Sequence, residues 1–411
     1  MPLTHILPRE LKILPGREVF IISYSRTPIG KFQRSLAEVE ATKLGGIAVK
    51  STIEKASIPT GLIDEVIMGN VLQAGLGQNP ARQAAYHAGI PAHVNGYTVN
   101  KVCASGMKAV ANAVSAIKAG DAEVIVAGGM ESMSRSPFIL PASVRTGVRL
   151  AYRGGPTLID CLTHDGLTSF IDGKSMAEIA EAIARARGVT RRQADEFAYL
   201  SHVKAHEATV KGYFKDEITP VNIKMNGKQI TLEHDEGIRS DTTLEKLSKL
   251  PPAFEGLEIV TAGNAPPLSD GAAALVLASG EAVKRHKLEP VAKILGYAWA
   301  ALDYENFVEA PIPATKKLLE KLGMNITDFD LFEHNEAFAV SSILVARGLE
   351  IPLERLNVFG GALALGHPLG ASGARIIITL INALKKYNMR RGLATICHGG
   401  GGAVSIAVEL E

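Results

Sequence analysis

Residues 100–110, NKVCASGMKAV, set a lone cysteine between two kinds of periodicity. Upstream, Tyr97, Thr98 and Val99 are strand formers, and downstream Met107, Val110, Ala111, Val114 and Ile117 recur on one helical face. Cys103 therefore belongs to a strand-to-helix turn walled by small residues. A thiol there can be exposed at the carboxyl edge of a sheet and can feel the partial positive charge of the helix N-terminus, which favours the thiolate. A small buried cysteine fits the same turn, so this stretch alone leaves both readings open.

The pattern around Cys103 recurs late in the chain. IDEVIMGN (63–70) is a strand-like run ending in Asn70, and FDLFEHNE (329–336) is another, with Asn335 in the same place. VNKVCASGMKAV (99–110) and FGGALALGHPLGASGARI (359–376) follow, each read as a strand-like run, an Ala-Ser-Gly turn and a helix. AEVIVAGGM (122–130) and LATICHGGGG (393–402) come next, in the same order. Ordered self-similarity of this kind predicts a duplicated α/β unit whose sheets are covered by helices.

The second copy runs directly from its glycines into the alternating residues Val404, Ile406, Val408 and Leu410. The first copy reaches its counterpart, DGAAALVLAS (270–279), only after a long interval, which reads as an insertion. Ser175 with Glu178 and Thr190 with Gln193 have capping-box spacing and predict helix starts inside it. Ala194, Phe197, Ala198, Ser201, Ala205 and Ala208 form a small-residue face suited to close packing. The preceding run, residues 134–155, carries Arg135, Arg145, Arg149 and Arg153 with no acidic residue: a solvated surface, or a receiver of phosphates.

Composition narrows the function classes. The 411 residues are 46% apolar, enough for large cores and two or three domains. A formal charge of +2 from 44 basic and 42 acidic residues leaves no excess for a nucleic-acid backbone or an anionic membrane. Three cysteines without close pairs argue against a disulfide framework or structural zinc. No apolar leader and no run of membrane-spanning length is seen, so a cytoplasmic, reducing location is expected.

Cys103, His367, Asn335 and Cys397 all fall near small-residue turns. In the duplicated frame Cys103 and His367 occupy matching turns, and Asn335 and Cys397 end neighbouring strands. Ligands in open α/β sheets bind at strand carboxyl ends, so the four residues can converge. A thiolate at Cys103 with His367 as its base suits attack on an acyl thioester. Cys397 then suits removal of a proton from the α-carbon of a second thioester, and amides of the glycines from Gly399 onward suit a developing oxyanion. CHGGGG lacks the Lys-Ser or Lys-Thr and the GxGxxG spacing of phosphate loops. A cysteine hydrolase also uses Cys, His and Asn, but leaves Cys397 and the duplication without a role.

With these residues in view, the sequence resembles the thiolases along nearly its whole length. The motifs are SRTPIGKF (25–32), GQNPARQAA, NKVCASG, AGGMESMS, TAGNA, NEAFA, GGALALGHPLGASGAR and CHGGGG. The resemblance implies the five-layered αβαβα thiolase fold with a helical loop domain inserted in its first half. It implies an N-terminal half of residues 1–133 plus 263–283, a loop domain of 134–262 and a C-terminal half of 284–411.

The same resemblance makes Cys103 the acylated nucleophile, His367 its activator and an oxyanion-hole donor, and Cys397 the general acid/base. It makes Asn335 the holder of a water in the enolate oxyanion hole, and the backbone amides of Cys103 and Gly399 a second hole. Arg145, Arg149, Arg153, Ala265, Pro266, Ala337 and Phe338 become the expected coenzyme A contacts. The implied reaction is reversible Claisen chemistry between acyl-CoA and 3-ketoacyl-CoA, with coenzyme A as cosubstrate, no tightly bound cofactor and no metal. A homo-dimer or homo-tetramer is implied as well.

Some positions depart from the family pattern. IDGKSMAE (171–178) stands where many thiolases have His-Met-Gly, Pro266 replaces a small polar residue, Ala403 replaces a glycine, and His398 directly follows Cys397. These changes, with residues 237–254, look closer to thiolases of fatty-acid-oxidation complexes. That analogy adds two expectations: a pocket for longer chains and a hydratase/dehydrogenase partner subunit. The alternatives are a decarboxylating ketoacyl synthase on the same fold, which does not call for Cys397, and an inactive thiolase-like protein that binds acyl-CoA or lipid.

Overall fold

The computed structural model describes residues 17–148, 154–225 and 227–411. The first half consists of β1 (Val19–Arg26), β2 (Gly30–Lys31), α1 (Ala41–Ala56), β3 (Glu65–Gly69), α2 (Pro80–His87), β4 (Asn95–Val99), α3 (Ser105–Ala119) and β5 (Val124–Ser132). An inserted region follows, with hairpin strands β6 (Phe138–Ile139) and β7 (Ile159–Asp160), helices α4 (Met176–Ala186) and α5 (Arg191–Val210), hairpin strands β8 (Val221–Met225) and β9 (Lys228–Leu232), and α6 (Leu244–Ser248). The chain returns to the first half through β10 (Ser269–Ser279) and α7 (Gly280–His286). The second half holds β11 (Ala292–Ala301), α8 (Pro311–Leu322), β12 (Leu331–His334), α9 (Ala339–Leu349), α10 (Ala362–Leu365), α11 (Leu369–Tyr387), β13 (Arg391–His398) and β14 (Gly402–Leu410).

The duplication is visible in the strand order, β4-β3-β5-β10-β1 followed by β11-β14-β13-β12. In each half a parallel pair (β3 with β5, β12 with β13) leads into an antiparallel return (β5 with β10, β13 with β14). The halves meet where β1 pairs with β11 over Phe20 and Ile21, which joins them into one ladder. Helices α3 and α11 lie between the two halves of the sheet, while α1 with α2 and α8 with α9 cover the outside. This is the five-layered αβαβα arrangement. No helix among the described residues is long and apolar enough to cross a membrane.

The central layer explains the composition of α11, in which every residue from Leu369 to Leu384 is buried. The helix is buried even at the polar Ser372, Arg375, Thr379 and Asn382. Small residues let it touch α3: a Cβ on Gly106 would lie 2.7 Å from the Gly370 carbonyl oxygen, and one on Gly373 would collide with the Met107 backbone. The two Ala-Ser-Gly turns are therefore packed against each other, which brings their preceding residues to one place.

One strand reading needs correction. In the second half the run before His367 is not a strand: Ala362–Leu365 forms the single turn α10, and the counterpart of β4 shrinks to one bridge between Phe332 and Leu356. Gly361 allows this, because the Glu336 carboxylate fills the space a side chain there would need. Both capping boxes form at α4 and α5, and the small-residue face of α5 is buried.

Candidate active site

Cys103 rides on a strained turn. Val102 has φ of 47°, a left-handed conformation costly for a β-branched residue. Ser105 holds it there, accepting from the Lys101 N–H at 2.8 Å and donating to the Val102 carbonyl at 2.6 Å. The result is a half-buried thiol at the start of α3. Burial pushes this thiol up to about 12, the neighbouring Cys397 adds to the rise, and the backbone N–H groups of Gly399 and Cys103 itself pull it down. The thiolate expected from the helix N-terminus is thus not the resting state: desolvation is the largest cause and the two backbone donors offset only part of it.

His367 is buried between the Gly366 turn and α11. Its Nδ1 lies 2.6 Å from Ser372 Oγ, and Ser372 itself donates to the Pro368 carbonyl at 2.9 Å. A hydroxyl has one hydrogen, so Ser372 must accept from Nδ1–H, and Nε2 carries the lone pair as an acceptor. Asn335 Nδ2 approaches that nitrogen at 3.4 Å, while Asn335 Oδ1 is buried without a partner. Burial lowers His367 to about 3, with Arg375 adding to the shift, so the ring rests neutral.

Cys397 ends β13 and is fully buried, with Ser341 Oγ 3.9 Å from its sulfur. Ser341 lies 3.4 Å from Nε2 of the buried His334. Burial pushes the Cys397 thiol up to about 12, with Ser341 opposing the rise. The following glycines form the β13–β14 hairpin, and Gly400 and Gly401 take φ of 85° and 90°, open to glycine and costly for other residues.

These elements enclose a pocket of about 170 Å³. Cys103, His367 and the Gly399 backbone line it, together with Val102, Met133, Met176, Phe254, Leu268, Phe307 and Leu369. One wall is the loop carrying Ala265 and Pro266. Asn264 fixes that loop, donating to Asp195 of α5 and to the Ile259 carbonyl, each at 2.9 Å, and accepting from the Thr261 N–H at 2.9 Å. An apolar cavity with a nucleophile, an unprotonated imidazole nitrogen and backbone amide donors can accept a thioester and stabilise an oxyanion.

The family model for the thiolase N-terminal domain matches residues 19–281, and that for the thiolase C-terminal domain matches residues 288–410. The chain belongs to the thiolase family. An acetyl-CoA acetyltransferase of Synechocystis is 49% identical over 393 residues, covering 96% of this chain and 99% of its own. One from Escherichia coli K12 is 46% identical over 389 residues, covering 95% and 98%. The crystal structure of the Bacillus anthracis acetyl-CoA acetyltransferase superposes with a TM-score of 0.93 at 40% identity, covering 96% of this chain and 99% of that one. A thiolase of Ascaris suum in complex with coenzyme A gives 0.89 at 41% identity, covering 96% and 100%. Membership makes this thiolase an acyltransferase.

Of the expected contacts, Ala265, Pro266, Ala337 and Phe338 line the thiolase pocket. Arg145 is exposed on a short helical turn, Ala142–Thr146, away from the lining, and Arg149 and Arg153 fall outside the described residues. Arg135 pairs with Glu38 at 3.5 Å. Asn335 and Cys397 do not line the open volume and are buried beside it.

Sequence reading passed over Ser372, although it lies in the Ala-Ser-Gly turn, because its contact with His367 spans a turn of unknown shape. It also passed over Glu131 at the end of β5. This buried carboxylate accepts from Asn70 Nδ2 at 2.7 Å, from the Val71 and Leu72 amides at 3.1 Å, and from the Gly370 amide at 2.9 Å. Burial raises it to about 7 while the amides oppose the rise. An acidic residue inside an apolar strand was the available signal.

Proposed function

We propose that this thiolase interconverts two acetyl-CoA with acetoacetyl-CoA and free coenzyme A through an acetyl-Cys103 intermediate. The observation that carries the reading is the shared pocket, which Cys103, His367 and Gly399 line together. The acetyltransferase names of the relatives support the short acyl group.

In this scheme the Cys103 proton passes to His367 Nε2 and the thiolate attacks the thioester carbonyl, held by the amides of Cys103 and Gly399. The carbon–sulfur bond to coenzyme A breaks, and the departing thiolate takes the Cys397 proton. The Cys397 thiolate, made strongly basic by burial, then removes a proton from the α-carbon of a second acetyl-CoA. The enolate oxygen is met by the N–H now on His367 Nε2 and by a water held on Asn335. Carbon–carbon bond formation expels the Cys103 thiolate, which recovers its proton from His367. Coenzyme A is a cosubstrate throughout.

The scheme goes with the division into an N-terminal half (1–133 plus 263–283), a loop domain (134–262) and a C-terminal half (284–411), and with a homo-dimer or homo-tetramer. A second reading, cleavage of longer 3-ketoacyl-CoA as in beta-oxidation, draws on an apolar cluster against Cys103. It comprises Val71, Leu72, Met133, Leu162 and Leu369, with Leu167 and Leu268 packed on it. A hydratase/dehydrogenase partner belongs to that reading, and native purification as a lone homo-oligomer would count against it.

The deciding experiment is CoA-dependent cleavage of 3-ketoacyl-CoA substrates across short and long chains. Cys103→Ser should form no acyl-enzyme, and Cys397→Ala should acylate yet fail at carbon–carbon exchange. Cleavage confined to acetoacetyl-CoA would support the acetyltransferase reading and discard the longer-chain one. No turnover at any length, with acyl-CoA still bound, would return the protein to the inactive binding class.

A further inference from the structure

We infer that His398 is a positioning residue, whose side chain holds the Gly399 carbonyl, and with it the backbone conformation of Gly399, so that the Gly399 N–H stays aimed at Cys103 and at the oxygen of its acyl group. The inference rests on the reading of Cys103 as the acylated nucleophile.

His398 Nδ1 lies 2.7 Å from the Gly399 carbonyl oxygen. A carbonyl only accepts, so Nδ1 carries the hydrogen. The other nitrogen, Nε2, is buried and has no partner among the described residues, so within them the Gly399 contact is the only hydrogen bond the ring makes. Burial lowers this histidine to about 4, against the pull of the Gly399 carbonyl and with Lys101 adding to the drop, so the ring is neutral at working pH. The clamp is therefore not a pH switch.

The ring is also held from its other side. His398 pairs across the β13–β14 hairpin with Gly402, and a Cβ on Gly402 would collide with Nε2 and Cε1 and lie 3.1 Å from Cδ2. The imidazole thus occupies the space that the missing side chain of Gly402 leaves open. Gly399 needs such help. It follows the last paired residue of β13, it begins a run of four glycines, and a Cβ there would meet nothing nearer than Met176 Sδ at 3.5 Å. A glycine in that setting has wide backbone freedom, which a side-chain hydrogen bond to its own carbonyl removes. The amide it steadies lines the pocket and lowers the Cys103 thiol. Donors to an oxyanion work through fixed placement, and a displacement of about 1 Å can cost on the order of 100-fold in rate.

Three variants separate the hydrogen bond from the packing. His398→Phe keeps a ring on Gly402 without a donor. His398→Asn places an amide donor near Nδ1 without the ring, and Gly402→Ala ejects the ring. In acetoacetyl-CoA thiolysis, His398→Phe is expected to lose about 10- to 100-fold in kcat with KM for coenzyme A within about 2-fold of the parent. The thermal midpoint should stay near the parent's, and His398→Asn should recover most of the rate. Gly402→Ala should match His398→Phe in kcat. If Gly402→Ala does not fold, the His398→Phe and His398→Asn pair decides alone.

Parent-like kcat in His398→Phe, a loss in KM only, or failure of His398→Asn to recover rate would each overturn the inference. Cys103→Ala separates the two levels. Turnover surviving in Cys103→Ala would remove the underlying reading, whereas a dead Cys103→Ala beside a parent-like His398→Phe would remove only the role of His398.

Discussion

Burial raises the Cys103 thiol to about 12, because the backbone N–H groups of Gly399 and Cys103 only partly offset the desolvation of an anion in an apolar pocket. The sign matters for reactivity: below a raised pKa, the thiolate fraction grows about tenfold per pH unit. Inactivation by iodoacetamide should therefore accelerate from about pH 7 to 10 without levelling. A plateau below about pH 8 would instead reveal a standing thiolate–imidazolium pair. His367 owes its unprotonated Nε2 to Ser372, so Ser372→Ala should let the ring adopt either tautomer. Its kcat should fall by about 10- to 100-fold while the thermal midpoint barely moves, as steady-state kinetics beside thermal denaturation would show.

Among the elements, the contact between α3 and α11 does most to align the site. Cys103 and His367 are far apart in sequence and on different halves, yet Gly106 and Gly373 let the two helix starts touch. Gly373→Ala would press a methyl into the Met107 backbone, which cannot move aside as a flexible side chain could. A destabilisation of about 1–3 kcal/mol is expected, with a loss of kcat beyond what the unfolded fraction explains. Denaturant titration and activity on the same sample would check it, and full activity would show that the crossing tolerates expansion. The capping boxes of α4 and α5 were legible in sequence because their partners lie three residues apart. The single-turn α10 was not, since its residues are as apolar as a strand and only the buried Glu336 beneath Gly361 decides its shape.

At the scale of the whole molecule, a buried ion cluster ties the inserted region to both halves. Arg26 on β1 donates to Glu217 at 2.7 Å and to Asp235 at 2.7 and 2.8 Å, and Glu217 accepts from Thr379 and Asn382 of α11 at 3.2 and 2.9 Å. Arg26→Met should strand two carboxylates and cost about 3–5 kcal/mol, measured by chemical denaturation. Little change would mean that the insertion is held by its apolar contacts instead. Arg26 stood in a quoted motif, but its partners lie about two hundred residues on, and no periodicity links them. The sequence alone determined the ordered repeat, the long interval within its first copy, and the small-residue turns beside Cys103, Asn335, His367 and Cys397, because strand alternation, caps and small-residue turns are local signals read within a few residues. The tertiary structure alone decided the protonation state of Cys103, the tautomer of His367 and the hold of His398 on Gly399. Each depends on desolvation and on hydrogen-bond partners that only the packed layers bring within reach.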